Sequence, residues 1–189
     1  PTTLDETQLE ELLAKVAENV DVFSLKEFTL EAGRPDTITK EKLDIAVKYG
    51  VTRVSINPQT LNDSVLKQIV RKHTAEDFFE SYNIARESGI KYINTDLIAG
   101  LPGDTFAGFT KTVDSILKLS PDNVTIHTFC VKKAADILRY NSDIYSRGGG
   151  DTPKSVSYAF VKTKNAGYIP YYIYRQKNTV GNLENVGYA

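Results

Sequence analysis

Two carboxylates, one amide and one guanidinium are the side chains of this sequence best placed to bind a ligand. Glu31 stands before Ala32-Gly33-Arg34-Pro35, where a strand gives way to a loop. A carboxylate there accepts hydrogen bonds from a cationic or hydroxylated ligand, and a solvated or salt-bridged Glu is the ordinary alternative. Asp96 lies inside the otherwise apolar run Asn94-Thr95-Asp96-Leu97-Ile98-Ala99, followed by Gly100-Leu101-Pro102-Gly103. A carboxylate taken from water into such a strand must be paired or used, so ligand binding and a structural salt bridge both remain open. Gly100 and Gly103 permit a tight turn or a close approach of backbone to a ligand. Gln59, in Ser55-Ile56-Asn57-Pro58-Gln59-Thr60-Leu61-Asn62, offers donors and acceptors to a ligand or to its own loop, and Arg71 binds an anion or caps a helix. No catalytic residue can be assigned from these types and positions.

Other chemistries are disfavoured. His73, His127 and Cys130 have no metal-ligand spacing, which argues against a zinc site. A single cysteine supports neither an intrachain disulfide nor a cysteine-based metal site. Gly100-Leu101-Pro102-Gly103-Asp104-Thr105 lacks the Lys-Ser/Thr ending of a phosphate loop, so a nucleotide hydrolase is disfavoured.

The elements that must position these residues follow from periodicity. Leu9, Leu12, Leu13, Val16 and Ala17 recur at helical spacing ahead of an apolar-rich run, Val22 to Ala32, that reads as a strand. Thr39 caps a second helix with Leu43, Ala46 and Val47, ending at Gly50 before the strand Thr52 to Asn57. A short helix carries Val65, Leu66 and Ile69. Thr74-Ala75-Glu76-Asp77 has capping-box form ahead of Phe78, Tyr82 and Ala85, with Gly89 closing the helix before the strand Tyr92 to Ala99. Asp104 or Thr105 opens a helix with Phe109, Val113, Ile116 and Leu117, and Asn123 to His127 is a fourth strand. Gly148-Gly149-Gly150 sits in a polar stretch, Tyr140 to Pro153, read as a loop or crossing. A last helix through Val156, Phe160 and Val161 ends at Gly167, an extended aromatic segment covers Tyr168 to Arg175, and Gly181 to Ala189 shows no finished element.

Strands alternating with helices of about 10 to 15 residues imply βαβ units and a parallel sheet. Thr29, Glu31, Ser55, Asn57, Asn94, Asp96, Thr125 and His127 form one alternate set along the strands, and Phe28, Leu30, Val54, Ile56, Ile93, Leu97, Val124 and Ile126 the other. Parallel strands covered on both faces are normally apolar throughout. A polar set therefore places that face inside a barrel, toward the carboxyl ends where barrel enzymes keep their chemistry. The expected fold is α/β, a partial TIM-like (β/α) barrel incomplete at both ends; an antiparallel sheet with one wet face is the alternative. The expected division is a partial barrel over 1–131, a loop or crossing over 132–153, and a last barrel helix and strand with the start of a C-terminal region over 154–189.

Composition agrees with a folded chain that has a core: 189 residues, 41% hydrophobic, with 23 basic against 24 acidic residues. A net charge of −1 gives no global attraction to nucleic acid or anionic membrane. No run approaches the roughly 20 apolar residues of a membrane span, and the first residues lack a signal-peptide pattern, so the expected location is the cytoplasm. The sequence contains no Met, even at its start, and reads as a piece of a longer protein.

Four segments now carry a resemblance. Phe28-Thr29-Leu30-Glu31-Ala32, Val54 to Asn62, Leu66-Lys67-Gln68-Ile69-Val70-Arg71-Lys72-His73 and Asn94 to Gly103 resemble, in order and spacing, successive motifs of the radical S-adenosylmethionine enzymes of the oxygen-independent coproporphyrinogen III oxidase family. Pro1-Thr2-Thr3-Leu4 looks like the end of that family's Gly-Gly-Thr-Pro-Thr turn. Pro170-Tyr171-Tyr172-Ile173-Tyr174-Arg175-Gln176-Lys177-Asn178 looks like the Firmicutes-type branch called coproporphyrinogen dehydrogenase.

The resemblance implies a radical SAM barrel in which Glu31, Gln59, Arg71 and Asp96 contact S-adenosylmethionine at the carboxyl end. It also implies a [4Fe–4S] cluster, an electron donor for it and a tetrapyrrole substrate whose propionates become vinyl groups in heme biosynthesis. Two departures stand out. The family's Cys-x-x-x-Cys-x-x-Cys motif, upstream of the segment matching Pro1, is absent, so this chain holds no cluster ligands and alone should be inactive. Asn57-Pro58 replaces the Gly-Val common before the Gln, the mark of a divergent branch. Some paralogues bind or deliver heme without the oxidase reaction, and that is the alternative function; a metal-dependent aldolase or isomerase barrel is a third. The isolated chain is expected to purify colourless, and an iron and sulfide assay finding stoichiometric amounts of both would contradict this reading.

Overall fold

The structure, a computed structural model, describes residues 1–130, 151–177 and 179–189. In chain order the elements are α1 (Glu6–Asn19), β1 (Thr29–Glu31), α2 (Lys40–Lys48), β2 (Arg53–Ser55), α3 (Asp63–Gln68), α4 (Ala75–Glu87), β3 (Tyr92–Ala99), α5 (Phe106–Lys118), β4 (Asn123–Thr128), α6 (Thr152–Asn165), β5 (Pro170–Tyr174) and β6 (Asn185–Tyr188). The strand order is β1-β2-β3-β4-β6-β5. Two compact units divide the chain: Pro1–Pro58 with His73–Thr95, and Gln59–Lys72 with Asp96–Ala189. The polar stretch expected over Tyr140 to Pro153 lies largely outside the described residues.

In the first unit β1 and β2 pair in parallel, Leu30 opposite Val54, and β2 pairs in parallel with the start of β3, Val54 opposite Ile93. This removes the antiparallel alternative and leaves the expected βαβ order. Leu30, Val54, Ile56 and Ile93 are buried, as the strand parity requires. The helices begin where the capping residues stand. Asp5 and Gln8 form a capping box on α1, Thr39 accepts from Lys42 N–H on α2, and Thr74 with Asp77 forms a second box on α4. Each cap satisfies a helix-start N–H that has no intrahelical acceptor. Phe78, Tyr82 and Ala85 turn one face of α4 into the core.

One reading is corrected here. The run Val22 to Ala32 is a strand only over Thr29–Glu31; Val22–Ser24 is instead a 3-10 turn. Ser24, Lys26 and Glu27 interrupt the alternation a strand needs. Val22 and Phe23 fit against Gly50, where a Cβ would stand 3.3 Å from the Phe23 ring and 3.4 Å from Val22.

In the second unit Leu97, Ala99, Phe109, Val113, Ile116, Val124, Ile126, Ala159 and Tyr188 make the core. Thr105 is the cap of α5, accepting from Gly108 N–H. Tyr158 of α6 donates to Asp114 of α5 at 2.8 and 2.9 Å, tying the two helices. A second correction concerns the last residues. Asn185–Tyr188 is a finished strand, β6, antiparallel both to β4, with Ile126 opposite Val186, and to β5, with Ile173 opposite Val186. Asn-Val-Gly-Tyr is too short and mixed to announce a strand by pattern, and pairing on both sides fixes it instead.

Replacing Thr74 by Ala removes the acceptor for Asp77 N–H. Urea unfolding is expected to show a loss of about 1 kcal/mol, and Thr74→Ser is expected to keep the parent stability.

Candidate functional site

Asp96 owes its place to β3, whose residues alternate strictly between half-buried and buried. Ile93, Thr95, Leu97 and Ala99 point into the core, which puts Asn94 and Asp96 on the other face. In the second unit the Asp96 carboxylate faces His127 of β4: Oδ2 lies 3.5 Å from Nε2, with the side chains 21% and 26% exposed. The other ring nitrogen of His127, Nδ1, lies 3.4 Å from the hydroxyl of Tyr174 on β5, and the two rings meet edge to face. Burial, with Tyr172 and the Asp96 carboxylate adding, pushes the Tyr174 hydroxyl above the ordinary phenol range, so it keeps its proton and can donate.

Tyr172 shares this face. It stands opposite Gly187 of β6, which in turn stands opposite Thr125 of β4, and its hydroxyl donates to Thr125 Oγ1 at 3.4 Å. A Cβ at Gly187 would collide with the Tyr172 ring, so glycine is what lets the tyrosine reach across β6. The rings of Tyr172 and Tyr174 are nearly parallel, 17° apart with centroids at 6.0 Å.

Gln59 and Asp96 are brought together through the backbone. Gln59 N–H donates to the Asp96 carbonyl at 3.1 Å, and Ile98 N–H donates to the Gln59 carbonyl at 2.9 Å. Gln59 adopts φ 66°, a left-handed conformation uncommon for a residue with a side chain, and it is buried. Such a conformation costs about 1–3 kcal/mol and persists only where the surroundings enforce it. Arg71 lies past the end of α3, where its own N–H, donating to the Leu66 carbonyl at 2.9 Å, continues the closure of the helix. Glu31 belongs to the other unit: it is exposed at the end of β1, opposite Ser55, with Ala32 N–H donating to the Ser55 carbonyl at 3.0 Å. Near it in that unit, Asn94 donates to Ser55 Oγ at 2.8 Å and Ser55 to Asn57 Oδ1 at 3.0 Å, so the expected polar face is a hydrogen-bonded row. His73 is a structural group, its Nε2 3.2 Å from the Pro58 carbonyl.

Gly100 and Gly103 have φ 81° and 80°, as a tight turn needs. The space a Cβ would take is filled by Thr152 at Gly100 and by Gln68 at Gly103, so packing within the protein accounts for both glycines. Next to them, burial pushes the Asp104 carboxyl up, opposed by hydrogen bonds from Thr105 N–H and the Thr60 hydroxyl. What the residue pattern did not reveal is the contact from Tyr174 to His127. The available signal was the alternation of Tyr172 and Tyr174 along one strand, legible only once β5 is known to lie two strands from β4.

Three thiolates for an iron–sulfur cluster do not exist in this chain, and among the described residues no group of three His, Cys, Asp or Glu side chains could hold a metal ion. Cys130 donates its thiol to the Lys177 carbonyl at 3.1 Å. Within the second unit, Gln59, Arg71 and Asp96 carry polar groups of the kinds that bind a ligand's ammonium, hydroxyl or carboxylate.

Residues 1–116 match the family model described as the Radical SAM superfamily. The chain belongs to that superfamily, and the aldolase and isomerase alternatives fall with that membership. Within it, the similarity runs to the coproporphyrinogen oxidase-like branch: the chain is 42% identical over its full length to the oxygen-independent coproporphyrinogen-III oxidase-like protein HemZ of Bacillus subtilis, covering 38% of that protein. It is 36% identical over 70% of its length to the heme chaperone HemW of the same species, covering 35% of it. The chain thus spans less than two fifths of these two relatives. Coproporphyrinogen III oxidase (HemN) from Escherichia coli, a radical SAM enzyme, shares the fold: the TM-score is 0.72 at 24% identity, over 89% of this chain and 39% of that one.

The raised carboxyl of Asp104 makes a pH-dependent prediction. The folded chain holds this proton to higher pH than the unfolded chain, in which the group titrates near 3.8. The folded state therefore binds more protons across the window from that value up to the raised one, and stability falls as pH rises through it. Asp104→Asn does not titrate. Its melting temperature relative to the parent is expected to climb as pH is taken from below that window to neutrality.

Proposed function

We propose that this chain is the S-adenosylmethionine-binding portion of an oxygen-independent coproporphyrinogen III dehydrogenase. Each of the two propionates that react loses a hydrogen atom, carbon dioxide and one further electron to become a vinyl group, in heme biosynthesis in the cytoplasm. With its [4Fe–4S] cluster, held by cysteines outside this sequence and reduced by an external electron donor, bound S-adenosylmethionine supplies the hydrogen-abstracting radical. The protein's part here is to bind and orient.

The observation that carries the reading is the half-buried carboxylate of Asp96 on the polar side of β3, at a residue whose backbone carbonyl accepts from the N–H of Gln59 in its left-handed conformation. In this proposal Glu31, Gln59, Arg71 and Asp96 contact S-adenosylmethionine, 1–131 supplies part of the barrel, 132–153 a connection, and 154–189 the last barrel elements with the start of a C-terminal region. The partner is a small tetrapyrrole rather than nucleic acid, and no described helix is long and apolar enough to cross a membrane. A second reading, a heme-binding or heme-delivering paralogue with the same pocket, is favoured by the likeness to the heme chaperone.

Anaerobic conversion of coproporphyrinogen III to protoporphyrinogen by the complete, cluster-reconstituted protein supports the first reading. Stoichiometric heme binding without turnover supports the second. In the same preparation Asp96→Asn is expected to weaken S-adenosylmethionine binding by roughly tenfold or more, because a charge-assisted hydrogen bond contributes about 1.5–3 kcal/mol. Calorimetric titration and thermal melts check it: a large loss of melting temperature at unchanged affinity would make Asp96 a structural ion-pair partner only.

A further inference from the structure

Three side chains on three strands of the second unit form a continuous polar row: Tyr174 on β5, His127 on β4 and Asp96 on β3. The row crosses β6, which lies between β4 and β5 and places Asn185 opposite Tyr174. The Tyr174 hydroxyl is 3.4 Å from His127 Nδ1, and His127 Nε2 is 3.5 Å from Asp96 Oδ2. Neither histidine nor tyrosine here is needed for the core. The His127 side chain is 26% exposed and Tyr174 is 38% exposed, while the apolar neighbours Ile126 and Val124 are each 1% exposed.

Direction follows from the donors available. A carboxylate only accepts, so the imidazole hydrogen that meets Asp96 sits on Nε2, and in the neutral ring this leaves Nδ1 to accept from the Tyr174 hydroxyl. A donor held at Oδ2 orients the carboxylate about its own bond to the strand.

We propose that His127 is a positioning residue for the ligand-binding carboxylate of Asp96, with Tyr174 fixing the tautomer that lets it do so. The proposal rests on the reading of Asp96 as a contact to S-adenosylmethionine. It adds two residues, one of them on the aromatic strand β5, that act on the cofactor through Asp96 and not by touching it.

The test uses calorimetric S-adenosylmethionine titrations of the complete, cluster-loaded protein and its Asp96→Asn, His127→Phe, His127→Gln and Tyr174→Phe variants, with thermal melts of each. Gln presents an amide nitrogen near the place of Nε2, whereas Phe presents no donor. His127→Phe is expected to weaken binding by about fivefold to tenfold, His127→Gln to restore it to within about twofold, and Tyr174→Phe to weaken it by about twofold to threefold, with melting temperatures close to the parent. A merely structural histidine would be rescued equally by shape and not by the donor. Loss of affinity in Asp96→Asn with none in His127→Phe overturns the proposal alone, while unchanged affinity in Asp96→Asn removes the underlying reading together with it. Nitrogen-15 chemical shifts of His127 in the present chain give a readout independent of cofactor: protonated Nε2 and unprotonated Nδ1 are expected, and the opposite tautomer overturns the relay even if a variant fails to fold.

Discussion

Side chains of an extended strand must alternate between its faces, and β3 obeys this for eight residues without a slip. Everything chemical in the chain depends on that constraint. A register error of one residue would bury Asp96 in place of Leu97 and turn the apolar set outward. The error is guarded against from both sides. Ile93 is fixed opposite Val54 in a parallel ladder, and farther along the strand the Gln59 bridge clasps Leu97 between hydrogen bonds to Asp96 and Ile98. Gln59 accepts a left-handed backbone to make that clasp, so the local strain and the placement of the carboxylate are one arrangement.

The neighbouring strands extend the polar row by the same rule. Parity brings His127 beside Asp96 because Val124 and Ile126 are committed to the core, and it brings Tyr172 and Tyr174 to the same side of β5. The intervening strand β6 contributes chiefly by what it omits: Gly187 has no side chain to obstruct Tyr172. The likeness to both a coproporphyrinogen oxidase-like protein and a heme chaperone fits a framework of this kind, in which one fold hosts different functions as the groups around the strands vary.

Much of this was legible in the sequence because caps and strand parity are local signals. Thr39 and Thr74 each begin the helix they announce, Thr105 of the pair Asp104 and Thr105 begins α5, and the span Tyr92 to Ala99 is the strand its alternation described. The failures have physical causes. Val22 to Ala32 carries the apolar content of a strand but not its period, and Gly50 receives Val22 and Phe23 in a different geometry. β6 exists because two strands flank it, information that four residues cannot hold. At the site, residue types singled out Asp96 as a carboxylate in an apolar strand and Gln59 as a group for a ligand or its own loop, and the structure joins the two through the backbone. The glycines of the turn were ambiguous in the sequence, and the side chains of Thr152 and Gln68 decide in favour of packing. Tyr174 could not be joined to His127 without the strand order, which depends on pairings between β4 and β6 such as Ile126 with Val186, far apart in the chain.

β5 has one further consequence, for the behaviour of the protein in solution. It is the outermost strand, every residue of it is exposed, and Ile173 is 66% exposed, with Ile169 just before it at 70%. An exposed apolar strip at the end of a sheet is the ordinary beginning of edge-to-edge aggregation. Two features blunt it. Pro170 opens the strand without an N–H to donate, and the ladder slips between Pro170 and Tyr172, breaking the flat repeat a second strand would need. The aromatic side chains that serve the inner face are thus carried on a strand whose backbone is poorly suited to recruiting a copy of itself.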